Sequence, residues 1–386
     1  MIKYPYSKPE LLKGDIKSVL NVLNKGYLTQ GKKLIEFENY LKKIFKAQHA
    51  VVCSSGTAAL HLVYNSIGLG KGSALLTSPI TFLSTANAAV MCGASVVFSD
   101  VDPNTGLMTP ETIENALKTT NLNIKVIAVV HLGGRVCDME GIAKIAKKYN
   151  CLVVEDACHA PGAYYNSNNI VGNCKYSIAT IFSHHAIKHI AMGEGGSITT
   201  NNSILAKKII EDRSHGIIRE KKKWKFKQEK NANWYYEMHN LGWNYRADEL
   251  TCSLGLSQAK RLNKNIKKRF NLVKMYNEIL CENNYLKLPD FCVSNNHAWH
   301  LFSIKIDFNK LKKSRGSVML QLSKYGIGSQ VHYIPLFMQP FYKNKHFSKF
   351  PGAIEYYNKT LSLPLYVGLN SSDIKYICLK LLKILK

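Results

Sequence analysis

Residues 125–155 read KVIAVVHLGGRVCDMEGIAKIAKKYNCLVVE. Lys125–His131 is a short apolar run rich in β-branched residues, and Cys151–Glu155 is another. Asp138–Tyr149, between them, has helical character. Strand, helix, strand is a βαβ unit, and repeated units of this kind build a mostly parallel sheet. The alternation extends in both directions. Upstream, Ser73–Ser78 reads as a strand, Phe82–Met91 as a helix, Ser95–Ser99 as a strand and Asp102–Gly106 as a turn. Thr109-Pro110-Glu111 opens a helix with a capping hydroxyl, a first-turn proline and an early acid. Downstream, Ile178–Phe182 and Ser197–Thr200 complete the series. From about Arg246 the pattern changes. Helical stretches at Arg246–Leu262 and Asn265–Asn283 precede strand-like Trp299–Asp307, a helix near Gly316–Tyr325, strand-like Ser329–Tyr333 and a last helix from Ser371. The fold expected is α/β: a mostly parallel mixed sheet flanked by helices in residues 1–250, and a smaller C-terminal α+β domain in residues 251–386.

Composition narrows the function. A chain of 386 residues buries a large core without staples. At 46% apolar and 20% charged it is globular. Its apolar runs fall short of a membrane span, and the opening MIKYPYSKPELLKGD has no apolar signal segment. A cytoplasmic protein is expected. Ten cysteines, at 53, 92, 137, 151, 158, 174, 252, 281, 292 and 378, form no Cys-x-x-Cys pair, so reduced thiols are expected rather than a zinc or redox motif. The 52 basic residues exceed the 26 acidic ones by 26, a balance that attracts anions. The densest run, Arg219–Lys230, interleaves Trp224 and Phe226 among lysines. One such run reads better as a solvated surface loop than as a nucleic-acid or membrane patch.

Three constellations carry chemistry. Ser54-Ser55-Gly56-Thr57-Ala58-Ala59 follows an apolar strand and precedes a helix. Small residues at a helix N-terminus let backbone N–H groups approach a phosphate, although the same residues also make an ordinary capping turn. Glu155-Asp156-Ala157-Cys158-His159 ends a buried strand, where a carboxylate needs a partner. Asp156 suits a protonated ring nitrogen with His159 nearby, or else caps the next helix. Ser183-His184-His185-Ala186-Ile187-Lys188 ends another strand, and glycines follow it. A desolvated lysine there is nucleophilic and forms a Schiff base with an aldehyde. The histidines at 184, 185 and 189 lack the spacing of a zinc site, so no metal is expected. Phosphate cradle, carboxylate and lysine, in that order along the chain, are what pyridoxal phosphate needs.

These residues resemble the fold-type-I, pyridoxal-phosphate-dependent sugar aminotransferases of the DegT/DnrJ/EryC1/StrS family. The similarity runs from Tyr6-Ser7-Lys8-Pro9 to Ser362-Leu363-Pro364-Leu365. Leu28-Thr29-Gln30-Gly31, Arg213-Ser214-His215-Gly216-Ile217, Leu241-Gly242-Trp243-Asn244-Tyr245-Arg246 and Gln330-Val331-His332-Tyr333 bring it nearest to the members that serve pseudaminic acid synthesis. The resemblance implies that Lys188 is the catalytic lysine carrying the cofactor, that Asp156 partners the pyridine nitrogen and that His159 sits near the phenolic oxygen. It implies phosphate contacts from Gly56, Thr57 and Ser183, and an aromatic cover from Phe82. Asn244 matches a residue that reaches the phosphate from a neighbouring subunit, which implies a homodimer with shared sites. Tyr6, Thr29, Gln30, His332 and Tyr333 lie in segments resembling sugar-nucleotide contacts. The implied reaction moves the amino group of L-glutamate to the C4 ketone of a UDP-linked 4-keto-6-deoxy-HexNAc. Alternatives are a perosamine- or viosamine-type 4-aminotransferase acting on a GDP, dTDP or UDP sugar, and a non-catalytic protein that keeps the cofactor fold.

The chain also departs from the family pattern. His184 stands where the family has phenylalanine, Ala191 and Met192 where threonines are common, and Pro161 where leucine is usual. All four are expected on the pocket wall, where they bear on which sugar is accepted. A dehydrating branch of the family replaces the lysine with histidine, and Lys188 argues against that branch.

Overall fold

The computed structural model describes residues 2–229, 231–290, 296–342 and 349–386; Lys230 and Cys292 lie outside them. The chain opens with helices α1 (Lys13–Lys25) and α2 (Lys32–Phe45), which the alternation did not announce. α2 buries Leu34, Phe37, Leu41 and Phe45, an apolar stripe at helical spacing. Its N-terminus begins at Gly31, which has no side chain to cap with. The Glu249 carboxylate accepts the Lys33 and Leu34 N–H groups instead. Then come β1 (His49–Cys53), α3 (Gly56–Ser66), β2 (Ala74–Thr77), α4 (Ser84–Met91), β3 (Ser95–Phe98), α5 (Pro110–Thr119), β4 (Ile124–Val130), α6 (Met139–Lys148) and β5 (Leu152–Asp156). A small hairpin of β6 (Tyr164–Asn166) and β7 (Asn169–Ile170) leads to β8 (Ala179–Ser183), β9 (Gly196–Thr200) and α7 (Ser203–Arg213).

Seven of these strands form one sheet in the order β1-β9-β8-β5-β4-β2-β3. β3, β2, β4, β5 and β8 run parallel to one another. β9 is antiparallel to both β8 and β1, so the sheet is mixed, as expected. Buried side chains pack both faces, as parallel strands require.

A short pair, β10 (Ile217–Ile218) and β11 (Glu237–Met238), precedes α8 (Glu249–Ala259) and α9 (Leu262–Leu280). The buried Asp15 of α1 accepts hydrogen bonds from Ser257, Gln258 and Arg261, which tie the end of α8 to the N-terminus. A second sheet, β12 (Leu286–Lys287), β13 (Phe302–Ile306) and a last strand at Thr360–Leu363, is antiparallel. Between β13 and that strand lie α10 (Phe308–Leu311), α11 (Arg315–Lys324) and α12 (Pro351–Lys359); the strand is β14, and α13 (Ser371–Leu385) follows it. Tyr276, Trp299, Phe302 and the apolar faces of α9, α11 and α13 make its core.

Two expected elements differ. Ser329–Tyr333 forms no strand. Gln330 makes a single bridge to Ser362, after which the chain turns His332 and Tyr333 toward a cavity. The strand expected from Trp299 starts only at Phe302, because the His300 and Leu301 N–H groups go to the Gly133 carbonyl oxygen rather than to a neighbouring strand.

Candidate active site

Ligands of open parallel sheets bind beyond the carboxyl ends of the strands. Here the loops after β1, β2, β5 and β8 surround a cavity of about 660 Å³. Ten of the thirteen residues singled out in the sequence line it: Gly56, Thr57, Phe82, Asp156, His159, Ser183 and Lys188, together with Tyr6, His332 and Tyr333.

Asp156 is the last residue of β5 and only 5% exposed. Its Oδ2 accepts a hydrogen bond from the Thr85 hydroxyl at 2.6 Å, and Oδ1 accepts the Cys158 N–H at 3.2 Å. Thr81 Oγ1 lies 3.0 Å from Thr85 Oγ1 and extends this chain. A carboxylate accepts about four hydrogen bonds, so these two leave lone pairs for a cavity-side donor. Lys188, half-buried in the loop after β8, lines the same cavity. Burial pushes its pKa below the ordinary lysine value, and the Cys158 and Asp156 side chains oppose that shift. More of the neutral, nucleophilic amine results.

His159 Nδ1 accepts the Gly133 N–H at 3.2 Å, so the neutral ring carries its proton on Nε2. Nε2 lies 3.3 Å from the Tyr333 hydroxyl. The ring stacks on His300, with centroids 4.3 Å apart. Burial, reinforced by Lys188, His332 and His189, holds the His159 pKa well below the ordinary histidine range. Burial thus favours the neutral form of this imidazole. Burial followed by Lys188 also lowers His332, to about 3.

At the start of α3, Ser55 caps the helix by accepting the Ala58 N–H at 3.0 Å. The capping turn is thus present at the place where an anion cradle was expected. Gly56 must be small, since an added Cβ would lie 3.0 Å from Ser183 Cβ. Gly196 is more constrained, because its Cβ would fall 2.2 Å from the Ser55 carbonyl oxygen. These glycines let the ends of β8 and β9 close against the first turn of α3. Phe82, 58% exposed, overhangs the cavity with its ring centroid 6.2 Å from that of Tyr333.

The single chain does not bring Asn244, Thr29 or Gln30 to the cavity. Asn244 is exposed and bridges Ser214, Thr29 bridges Asp248, and Gln30 is an exposed residue at φ 55°. The four departures from the family pattern are not on the cavity wall, which corrects that expectation. His184 is buried behind the wall, its Nε2 2.8 Å from Ser197 Oγ and its ring against Phe37. Ala191 and Met192 are buried in the body of the protein. Thr81, Thr85 and His300 line or brace the site, and sequence reasoning missed their roles. The four-residue spacing of Thr81 and Thr85, across the start of a helix, was the one signal available for that pair.

A lysine of lowered pKa, a buried carboxylate with lone pairs to spare, an overhanging aromatic ring and a glycine-lined helix start fit pyridoxal phosphate. Together with the mixed sheet they define an aminotransferase of the pyridoxal-phosphate-dependent class. Residues 9–382 match the DegT/DnrJ/EryC1/StrS aminotransferase family, and the chain belongs to it. It is 37% identical over 376 residues to the spore coat polysaccharide biosynthesis protein SpsC of Bacillus subtilis, covering 96% of this chain and 94% of that one. It is 35% identical over 376 residues to the UDP-4-amino-4,6-dideoxy-N-acetyl-beta-L-altrosamine transaminase of Campylobacter jejuni, covering 96% and 95%. The solved structure of Helicobacter pylori PseC, an aminotransferase involved in pseudaminic acid biosynthesis, superposes with a TM-score of 0.89 at 31% identity, covering 99% of this chain and 98% of that one. Solved structures of the same fold include pyridoxal phosphate and pyridoxamine phosphate forms.

Proposed function

We propose that this enzyme transfers the amino group of L-glutamate to the C4 ketone of a UDP-linked 4-keto-6-deoxy-HexNAc, giving UDP-4-amino-4,6-dideoxy-N-acetyl-β-L-altrosamine. The observation that carries the reaction is the meeting of Lys188, Asp156 and the α3 cradle in one cavity. The Campylobacter transaminase and PseC support the choice of sugar.

Bound there, pyridoxal phosphate supplies a carbonyl to receive the amino group and a ring that stabilises negative charge at the donor carbon. The rest falls to the chain. Gly56, Thr57 and Ser183 hold the phosphate, and Phe82 covers the ring. Asp156, fixed by Thr85 and the Cys158 N–H, holds a proton on the pyridine nitrogen. His159 would offer its Nε2–H to the cofactor's phenolic oxygen. Lys188 would anchor the cofactor, and its free Nζ would take the α-proton of glutamate and deliver it across the site. The reverse sequence delivers a proton to C4 of the sugar. Tyr6, His332 and Tyr333 contact the sugar nucleotide from the cavity wall.

Asn244, Thr29 and Gln30, exposed on the single chain, fit a role across the interface of a homodimer, where each site takes residues from both copies. The setting proposed is the cytoplasm; among the described residues no helix is long and apolar enough to cross a membrane.

The test is incubation of the cofactor-loaded protein with L-glutamate and a panel of UDP-, dTDP- and GDP-linked 4-keto-6-deoxy sugars, followed by mass. Selective conversion of the UDP-linked 2-acetamido L-arabino ketone is expected. Selective conversion of a dTDP or GDP sugar would overturn the substrate. Lys188→Ala is expected to abolish turnover, and retention of more than about a tenth of the rate would remove the lysine from its role.

A further inference from the structure

The Gly133–Gly134 turn joins two rings from distant parts of the sequence. Gly133 donates its N–H to His159 Nδ1 at 3.2 Å, and its carbonyl oxygen accepts the His300 N–H at 2.9 Å. The Gly134 carbonyl oxygen accepts the Ala298 N–H at 3.0 Å. Both glycines sit at positive φ, 68° and 95°. A Cβ on Gly134 would lie 2.9 Å from the His159 carbonyl oxygen and 3.1 Å from the His300 nitrogen. Residues 298–301 thus dock against the loop after β4. That docking brings the His300 ring onto the face of His159, with centroids 4.3 Å apart and planes 29° from parallel. The His189 ring lies 5.3 Å from that of His300, and its Nε2 donates to the Ala298 carbonyl oxygen at 2.9 Å. The buried Arg269 of α9 donates to the His300 carbonyl oxygen at 3.3 Å.

His300 lines the catalytic cavity yet is 2% exposed, and its Nδ1 has no hydrogen-bond partner among the described residues. Burial, followed by His159, Lys188, His189 and Arg269, holds its pKa well below the ordinary histidine range. Lys188, His189, His332 and Arg269 each disfavour a positive charge on one ring of the pair or the other. The Tyr333 hydroxyl faces His159 Nε2. A neutral His300 adds no charge beside Lys188, and what it offers His159 is a flat face. With Nδ1 accepting from Gly133, His159 has one place for its proton, Nε2.

We infer, on the role proposed above for His159, that His300 is a positioning residue: its face fixes the plane of His159 and so the direction in which Nε2–H is offered to the cofactor's phenolic oxygen. A donor to that oxygen favours the deprotonated, more negative form of the bound chromophore. Losing it therefore raises the midpoint at which the cofactor's visible absorbance titrates with pH. His159→Phe deletes the donor and should raise that midpoint by about one pH unit, the worth of one hydrogen bond. His300→Ala keeps the donor but frees its ring. It should raise the midpoint by about half a unit or more and slow the glutamate half-reaction about threefold. His300→Phe restores the flat face and should bring both close to the unmodified values. A merely structural loss would lower the cofactor content without moving the midpoint of the cofactor that remains. If the alanine variant does not hold cofactor, His300→Leu, which fills the space without a flat face, takes its place with the same expectation. An unmoved midpoint in His159→Phe would overturn the reading of His159, and the role of His300 with it. A midpoint that moves in His159→Phe but not in His300→Ala would overturn the role of His300 alone. So would a His300→Phe variant shifted as far as the alanine one, since the nitrogens of His300 would then matter rather than its face.

Discussion

Asp156 takes a short hydrogen bond from a residue 71 positions earlier in the chain. Thr85 thereby fixes the plane of the carboxylate proposed to face a ring nitrogen. Removing that bond leaves the charge in place but lets the group rotate. Thr85→Val keeps the shape of the side chain and deletes the donor. It is expected to lower kcat by about tenfold, near the 1.4 kcal/mol of one hydrogen bond to a charged group, with little change in KM. Thr85→Ser should restore most of the rate, since the hydroxyl returns. An unchanged kcat in the valine variant would show that Asp156 needs no brace. Asp156 was legible in the sequence because it ends an apolar run, where a polar group stands out, and Lys188 because it follows the end of a strand and precedes glycines. Thr85 was not. Beyond its spacing from Thr81, nothing local distinguishes it from any other helical threonine, and its role exists only once the first turn of α4 meets the end of β5.

The same distinction holds for whole elements. The starts of α5, α6 and α13 were readable because Thr109, Asp138 and Asn370 cap them from the adjoining position. α2 was missed because its cap, Glu249, lies 216 residues from Lys33. β5 illustrates the other half of the problem. Successive residues of a strand face opposite sides, so Glu155 points away from the site that Asp156 serves. The sequence reading assigned Asp156 a role and left Glu155 without one. Glu155 is fully buried and meets His131 Nε2 at 2.8 Å, with Ser177, Tyr165 and Thr180 as further donors. Burial pushes its pKa up, but the hydrogen bond and charge of His131, with Ser177 and Tyr165, outweigh burial and leave it below the ordinary glutamate value. A depressed folded-state pKa gives stability that is present above the unfolded value, about 4.3, and lost as pH falls through the folded value. Glu155→Gln should therefore lower stability near neutral pH by about 2 kcal/mol, and the deficit should shrink in acid. Denaturant melts at pH 7 and pH 4 would check this; an equal deficit at both would mean that the charge of Glu155 contributes nothing.

At the scale of the molecule, the single chain exposes apolar surface that its own fold does not use. On α1 and just beyond it, Ile16, Leu20, Leu23 and Tyr27 recur at helical spacing and are all exposed, while Asp15 and Val22 face inward. Trp234, Met238 and Leu241, in the segment leading to Asn244, are exposed as well. Apolar side chains left exposed in this number fit the homodimer proposed above. Sequence patterning did not announce α1, and an amphipathic helix in any case looks the same whether it faces a core or a second copy. Shared sites have a consequence that an ordinary dimer does not. In a homodimer of two 43.4 kDa chains, each site would combine Lys188 of one copy with Asn244 of the other. Lys188→Ala and Asn244→Ala should each lose most turnover as separate proteins. When the two are coexpressed, half of the dimers are mixed, and each mixed dimer carries one doubly damaged site and one intact site. Activity should then recover to about a quarter of the unmodified level, as two-fold symmetry with exchanged residues dictates. A mixture no more active than the average of its parents would mean that one chain supplies every residue its site needs, and the apolar face of α1 would then be covered by something other than the exchange of catalytic groups.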